Sequence, residues 1–255
     1  MSIRSAQNIQ YPRRKILRHI LQALDRAALN LLADTHIEGQ ENIPKHGPLL
    51  LVGNHFSFMD PMIFALIAPW HLEFLGGFNN PSAPPVVRII PWLWGYYPLI
   101  RGTGSRDSLR TAETLLQRKG IIGIFPEGGN WATVLRPARP GAAYLATRTG
   151  STLLPVGIDG LLNLLPSIRK GKRAKVNIRI GKPFGPFQAT GTGRTRRLQL
   201  DEIGHEIMRR IDELIPSERQ GHYSPDPAIR NAAQGTEIYP WATKTELEIK
   251  TGEFL

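Results

Sequence analysis

Apolar residues along the chain recur with two different periods, and the alternation between those periods outlines a fold. Over residues 13 to 33, Ile16, Leu17, Ile20, Leu21, Leu24, Ala28, Leu31 and Leu32 fall at helical spacing, with Arg14, Arg18, Gln22 and Arg26 elsewhere on the wheel. This predicts an amphipathic helix. Its apolar stripe either packs on its own domain or, given the basic run Arg13, Arg14 and Lys15, lies on a membrane surface. Short apolar runs follow: LLLV at 49–52, IIGIF at 121–125, TLLPVGI at 152–158 and the alternating KVNIRI at 175–180 read as strands. Between them, helices are predicted at about 61–68, at 105–119 closed by Gly120, and at 141–149 closed by Gly150; another at about 200–215 buries Ile203, Ile207, Ile211 and Leu214. Continuous apolar strands alternating with helices predict an α/β fold with a central, largely parallel (mixed) sheet flanked by helices on both faces.

Two stretches break the pattern. In residues 69–99, Pro81, Pro84, Pro85, Pro91 and Pro98 alternate with Trp92, Trp94, Tyr96 and Tyr97, which fits either short elements or an apolar-walled loop. From Gly221 onward turn-formers dominate and periodicity fades, predicting an extension that wraps the domain or is partly disordered. Three segments result: an N-terminal amphipathic helix within 1–35, a main domain over 36–220, and a C-terminal extension over 221–255.

Composition narrows the chemistry. The 255 residues include no cysteine, which excludes disulfides, thiolate metal sites and a cysteine nucleophile, and favours a cytoplasmic setting. The remaining histidines, His19, His36, His46, His71, His205 and His222, lack ligand spacing, so no metal is expected. The N-terminus lacks the apolar core of a secretory signal, and Arg18, Asp25 and Arg26 interrupt the segment that follows; neither secretion nor a spanning helix is predicted. A net charge of +11 attracts anionic partners. Ten Lys/Arg fall within 169–197, with no acid between Asp159 and Asp201: a solvated surface, or a docking face for anionic lipid or an acidic carrier protein. No zinc finger, RNP-type aromatic motif or convincing helix-turn-helix is present, so nucleic acid is not an expected partner.

The candidate chemistry sits where apolar strands end. LLLVGNHFSFMDP runs from a strand into His55 and, five residues on, Asp60 backed by Pro61. Pro61 disfavours the helical conformation at Asp60 and suits the first helical position, which predicts Asp60 as the helix N-cap and His55 in the preceding loop. The loop can fold the imidazole back onto the carboxylate, as an aspartate-oriented general base requires. Equally, Asp60 caps its helix while His55 merely satisfies a backbone carbonyl. A second strand end carries IFPEGGNW, placing Glu127 beside glycines that let a ligand approach the backbone. In PLIRGTGSRDS, Arg101 precedes a Gly-rich turn at the head of a helix and suits a phosphate or a plain surface ion pair.

Together, NHFSFMD, PLIRG with RDS, FPEGG and LLPVGI, in that order over roughly residues 45–215, resemble the glycerolipid acyltransferase family, whose best-known members make phosphatidate from lysophosphatidate. The resemblance implies a glycerolphosphate-acyltransferase-like fold, His55 as catalytic base, Asp60 as its partner, and Arg101, Glu127 and Gly128 lining the acceptor pocket, with Gly129 and Asn130 among the substrate-binding residues. It further implies no cofactor, acyl-CoA or acyl-carrier protein as co-substrate, a lysolipid acceptor, and peripheral attachment to an anionic membrane surface from the cytoplasm. One departure is visible: where lysophosphatidate enzymes usually continue FPEG with Thr-Arg-Ser, this chain has Gly129, Asn130 and Trp131. An acyl ester or thioester hydrolase using water, and a non-catalytic lipid-binding module, are the competing readings. The hydrolase lacks a G-x-S-x-G elbow.

Overall fold

A computed structural model describes residues 11–76, 89–98 and 105–238. In chain order the elements are α1 (Lys15–Leu32), β1 (Ala33–Glu38), β2 (Leu49–Gly53), α2 (Asp60–Ile67), β3 (Leu72–Gly76), α3 (Ile89–Trp94), β4 (Tyr97–Pro98), α4 (Ser105–Gln117), β5 (Ile121–Ile124), α5 (Gly141–Thr149), β6 (Thr152–Asp159), α6 (Leu164–Arg169), β7 (Ala174–Ile180), α7 (Gly193–Asp212) and α8 (Pro227–Ala233). The strands form one seven-stranded sheet in the order β1-β7-β6-β2-β5-β3-β4. Neighbours run parallel except β6 and β7, which are antiparallel.

The period of two in the strands divides the core. Leu49 and Leu51 of β2 point into one layer with Ile63 and Phe64 of α2 and Leu29 of α1. Leu50 and Val52 point into the other, with Leu115 of α4, Ala146 of α5 and Ile207 of α7. Both faces of the sheet are therefore covered, and a one-residue slip of β2 would exchange its two layers.

One boundary differs from the sequence expectation, and two segments left open take definite form. The domain boundary after residue 35 falls inside β1, whose faint alternation over ADTHIE hides a strand paired along its length with β7. Within 69–99, β3 is one of the short elements, and its second residue, Glu73, is fully buried. The partner of Glu73 lies on α1.

On α1 the inward face carries Leu21, Leu29 and Leu32 together with the buried polar Arg18 and Gln22, and part of the apolar stripe faces out. Arg18 and Gln22 are buried, whereas Ile16 is 79% and Leu31 73% exposed, with Ile20 and Leu24 also exposed. Arg18 donates from Nη1 and Nη2 to the two carboxylate oxygens of Glu73, both at 2.7 Å, and from Nε to the Trp94 carbonyl. Gln22 Nε2 donates to the carbonyls of Ala65 and Ala68, satisfying the exposed end of α2. Among the described residues, no helix is long and apolar enough to cross a membrane.

Candidate active site

The end of β2 is shaped by Asn54, whose side-chain amide copies a peptide group. Its Nδ2 donates to the Ile158 carbonyl and its Oδ1 accepts from the Ile158 amide, each at 2.8 Å, so the link to β6 continues one residue past the strand. The chain then turns away, and His55 begins the loop. Its backbone N–H donates to Glu127 Oε1 at 2.7 Å. Because β2 and β5 are adjacent and parallel, with Val52 opposite Ile124, the loops leaving them emerge side by side, which brings His55 and Glu127 together.

The imidazole meets Asp60 through the intervening turn: His55 Nδ1 lies 2.9 Å from Asp60 Oδ2. The carboxylate does not cap α2. Met59 occupies the N-cap position and Asp60 is the first helical residue. Its Oδ2 instead accepts from the Ser57 amide at 2.8 Å, while the Asp60 amide donates back to the Ser57 carbonyl. The cap expectation fails because that carboxylate is already committed to the loop, where it ties imidazole and turn together. Asp60 is buried, and burial pushes its carboxyl upward despite the opposing hydrogen bond from His55. With Nδ1 facing the carboxylate, Nε2 is the nitrogen left to take a proton, and the side chain is 15% exposed.

The ring itself is backed by aromatic residues. His55 stacks on Phe125 at 4.2 Å between centroids, Phe125 on Phe64 at 4.6 Å, and Phe74 on Tyr96 at 4.8 Å. Two strand glycines make this possible. A Cβ at Gly53 would come within 2.9 Å of the Phe64 ring, and one at Gly123 within 2.9 Å of Phe74. The sequence marks Phe125 only as the last letter of an apolar strand, so its role behind the imidazole was not read.

Glu127 is wholly buried rather than open to the surface. While Oε1 accepts from His55, Oε2 accepts from Arg136 Nε at 3.1 Å. Burial pushes its carboxyl up to about 7 against the lowering effect of the Arg136 guanidinium. Arg136 also donates to the Gly129 carbonyl and lies 3.9 Å beneath the Trp131 ring. Gly128 has φ of 78°, closing the turn from the Phe125 carbonyl to the Gly128 amide. The stem of Arg139 lies across it, since a Cβ at Gly128 would sit 3.0 Å from Arg139 Cγ. Asn130 is half-buried in the same loop. His55, Asp60, Glu127, Gly128 and Gly129 are thus joined by hydrogen bonds, turn or neighbouring contacts, whereas Arg101 lies outside the described residues. Arg136 and Arg139 escaped the sequence reading because each reaches the FPEGG turn from downstream and belongs to no motif quoted above.

Known proteins resemble this chain over part of its length. Residues 34–159 match the Acyltransferase family model. The chain is 30% identical over 122 residues to the 1-acyl-sn-glycerol-3-phosphate acyltransferase of Borreliella burgdorferi, covering 47% of this chain and 49% of that protein. It is 29% identical to the chloroplastic 1-acyl-sn-glycerol-3-phosphate acyltransferase BAT2 of Brassica napus, over 59% of this chain and 45% of the relative. The chain spans less than half the length of the curated relatives it matches. The crystal structure of the 1-acyl-sn-glycerophosphate acyltransferase PlsC from Thermotoga maritima superposes with a TM-score of 0.54 at 24% identity, over 79% of this chain and 83% of that one, and shares the fold. Over residues 34–159, just under half of its length, the chain is similar to the acyltransferase family.

Proposed function

We propose that this protein transfers a fatty acyl group from an acyl thioester, on coenzyme A or an acyl-carrier protein, to the hydroxyl of a lysolipid acceptor. The observation that supports this most is the imidazole held by a buried carboxylate through Nδ1, with Nε2 remaining for a substrate hydroxyl. In the reaction, Nε2 takes the hydroxyl proton as the oxygen attacks the thioester carbonyl. Collapse of the tetrahedral intermediate breaks the C–S bond, and the proton passes from the imidazolium to the departing sulfur. No covalent acyl-enzyme is needed. Positioned base catalysis supplies roughly 10²- to 10⁴-fold, so alignment of thioester and hydroxyl at the end of β2 must contribute at least as much.

The relatives' names point to a lysophosphatidate acceptor, while Gly129, Asn130 and Trp131 leave room for acceptors without a terminal phosphate. Mass spectrometry after incubation with acyl-CoA or acyl-carrier protein and a panel of lysolipids is expected to find an acylated lipid. Free fatty acid alone would instead identify a hydrolase, and no turnover with co-purified lipid a binding module.

The outward stripe of α1 supports peripheral membrane attachment. Beside it, α3 exposes Ile89 and Trp92, and Arg14 donates to the Trp92 and Leu93 carbonyls, tying the two helices. Exposed Arg14, Lys15 and Arg26 add positive charge around the apolar residues. Sedimentation with anionic vesicles is expected at low salt, to weaken as salt rises, and to be lost in Ile20→Asp/Leu24→Asp. Binding that ignores salt, or that survives the double substitution, would remove α1 as the docking element.

A further inference from the structure

The turn that holds His55 is itself held from the far end of the chain. Leu135, next to Arg136, is pinned by two backbone hydrogen bonds: its amide donates to the Arg219 carbonyl at 2.9 Å, and its carbonyl accepts from the His222 amide at 3.1 Å. Arg219 Nη1 adds a bond to the Thr133 carbonyl. Further on, the indole N–H of Trp131 donates to the Thr236 carbonyl at 2.7 Å. Thr236 is delivered by a short, well-terminated unit. Asp226 Oδ1 caps α8 by accepting from the Ala228 amide, Arg230 ties back to the Ser224 and Pro225 carbonyls, and Ala233 is buried against the domain.

From Thr236 the contacts run without a break. The Trp131 ring lies over the Arg136 guanidinium, Arg136 grips Glu127 and the Gly129 carbonyl, and Glu127 accepts from the His55 amide.

We infer that Trp131 and Arg136 are positioning residues for His55, and that residues 219–238 act as a clasp that keeps them in place. The guanidinium faces inward to a buried carboxylate, so its task is to hold Glu127 in place, not to bind substrate. A stacked, hydrogen-bonded indole leaves Arg136 few alternative rotamers. Without it, the main chain at His55 loses its fixed acceptor, and a displacement of about 1 Å at a catalytic group can cost on the order of 10²-fold.

The inference rests on the acyl-transfer reading for its kinetic consequence only, and a spectroscopic readout tests it independently. Selective ¹⁵N-histidine labelling of the full chain gives seven backbone amide resonances, and His55→Ala identifies the one sought. An amide bonded to a carboxylate resonates downfield; in Trp131→Leu, and in Ala233→Glu, which unseats α8, that resonance is expected to move upfield while the peaks of His19, His36, His46 and His71, outside the clasp, hold. Trp131→Phe keeps a ring over Arg136 without the bond to Thr236 and is expected to shift it part-way. In parallel, kcat in Trp131→Leu is expected to fall by about 10- to 100-fold with the thioester KM little changed. An unmoved His55 resonance in Trp131→Leu overturns the positioning role, and one that moves there but not in Ala233→Glu overturns the clasp. Absence of any transfer by the wild-type chain would overturn only the proposed function.

Discussion

His55→Ala is expected to abolish measurable acyl transfer, a fall of at least 10²- to 10⁴-fold from loss of the base alone, while leaving the fold intact. The stability half of this expectation comes from Asp60. Burial already pushes its carboxyl upward, and removing the imidazole takes away interactions that oppose that shift, so the neutral form is favoured over a bare buried charge. Its oxygen can still accept from the Ser57 amide and hold the turn. What is lost is the imidazole stacked on Phe125 and the Nε2 lone pair. Asp60→Asn is the sharper companion: it keeps the side-chain shape and an acceptor for Ser57, but offers no charge to an imidazolium, so it too is expected to cripple turnover. Single-turnover assays beside thermal melts separate the outcomes. Wild-type turnover in His55→Ala would show that the base lies elsewhere, and intact turnover with a large loss of stability in Asp60→Asn would make the carboxylate purely structural.

Much of this arrangement was legible in the sequence, because strands buried on both faces advertise themselves. LLLV, IIGI and TLLPVGI are runs with no reason to be apolar throughout unless covered above and below, and KVNIRI alternates in step with its observed burial. Strand ends in a parallel sheet share an edge, which is why His55 and Glu127 could be placed near one another before any coordinate was known. The missed parts have a common cause: pairs of polar groups far apart in sequence. β3 lies in a stretch left open between short elements and a loop, and its buried Glu73 is held by Arg18, 55 residues away in sequence and in contact in space. Helical periodicity reported that α1 is two-sided but not that Arg18 and Gln22 share its inward face with Leu21, Leu29 and Leu32. For Glu127, whose acceptor-pocket role is what the resemblance implies, nothing in the sequence signalled burial, because Arg136 reaches back from nine residues downstream with no pattern to announce it.

The buried arginine of α1 leads to the second large effect: Arg18→Met is expected to destabilise the protein by about 3 to 5 kcal/mol, the usual consequence of leaving a buried charge without its partner. In a chain of this size that is roughly 10 °C in melting temperature. Glu73 has no exposed surface, and after the substitution its remaining ion-pair partner among the described residues is Arg13, which is partly exposed and bonds one oxygen at 3.1 Å. The Trp94 carbonyl loses a donor at the same time. Because the harm comes from an orphaned charge, not from lost attraction alone, removing both charges is expected to undo most of it: Arg18→Met/Glu73→Leu should lie within about 1 kcal/mol of the parent, as buried ion pairs replaced by apolar groups often do. Leu24→Asp, on the outward stripe, is expected to leave the melting temperature unchanged. Denaturant titrations of the four proteins decide the matter. If Arg18→Met melted like the parent while Leu24→Asp collapsed, α1 would be held by its apolar stripe, and neither its outward face nor its use as a docking surface would stand.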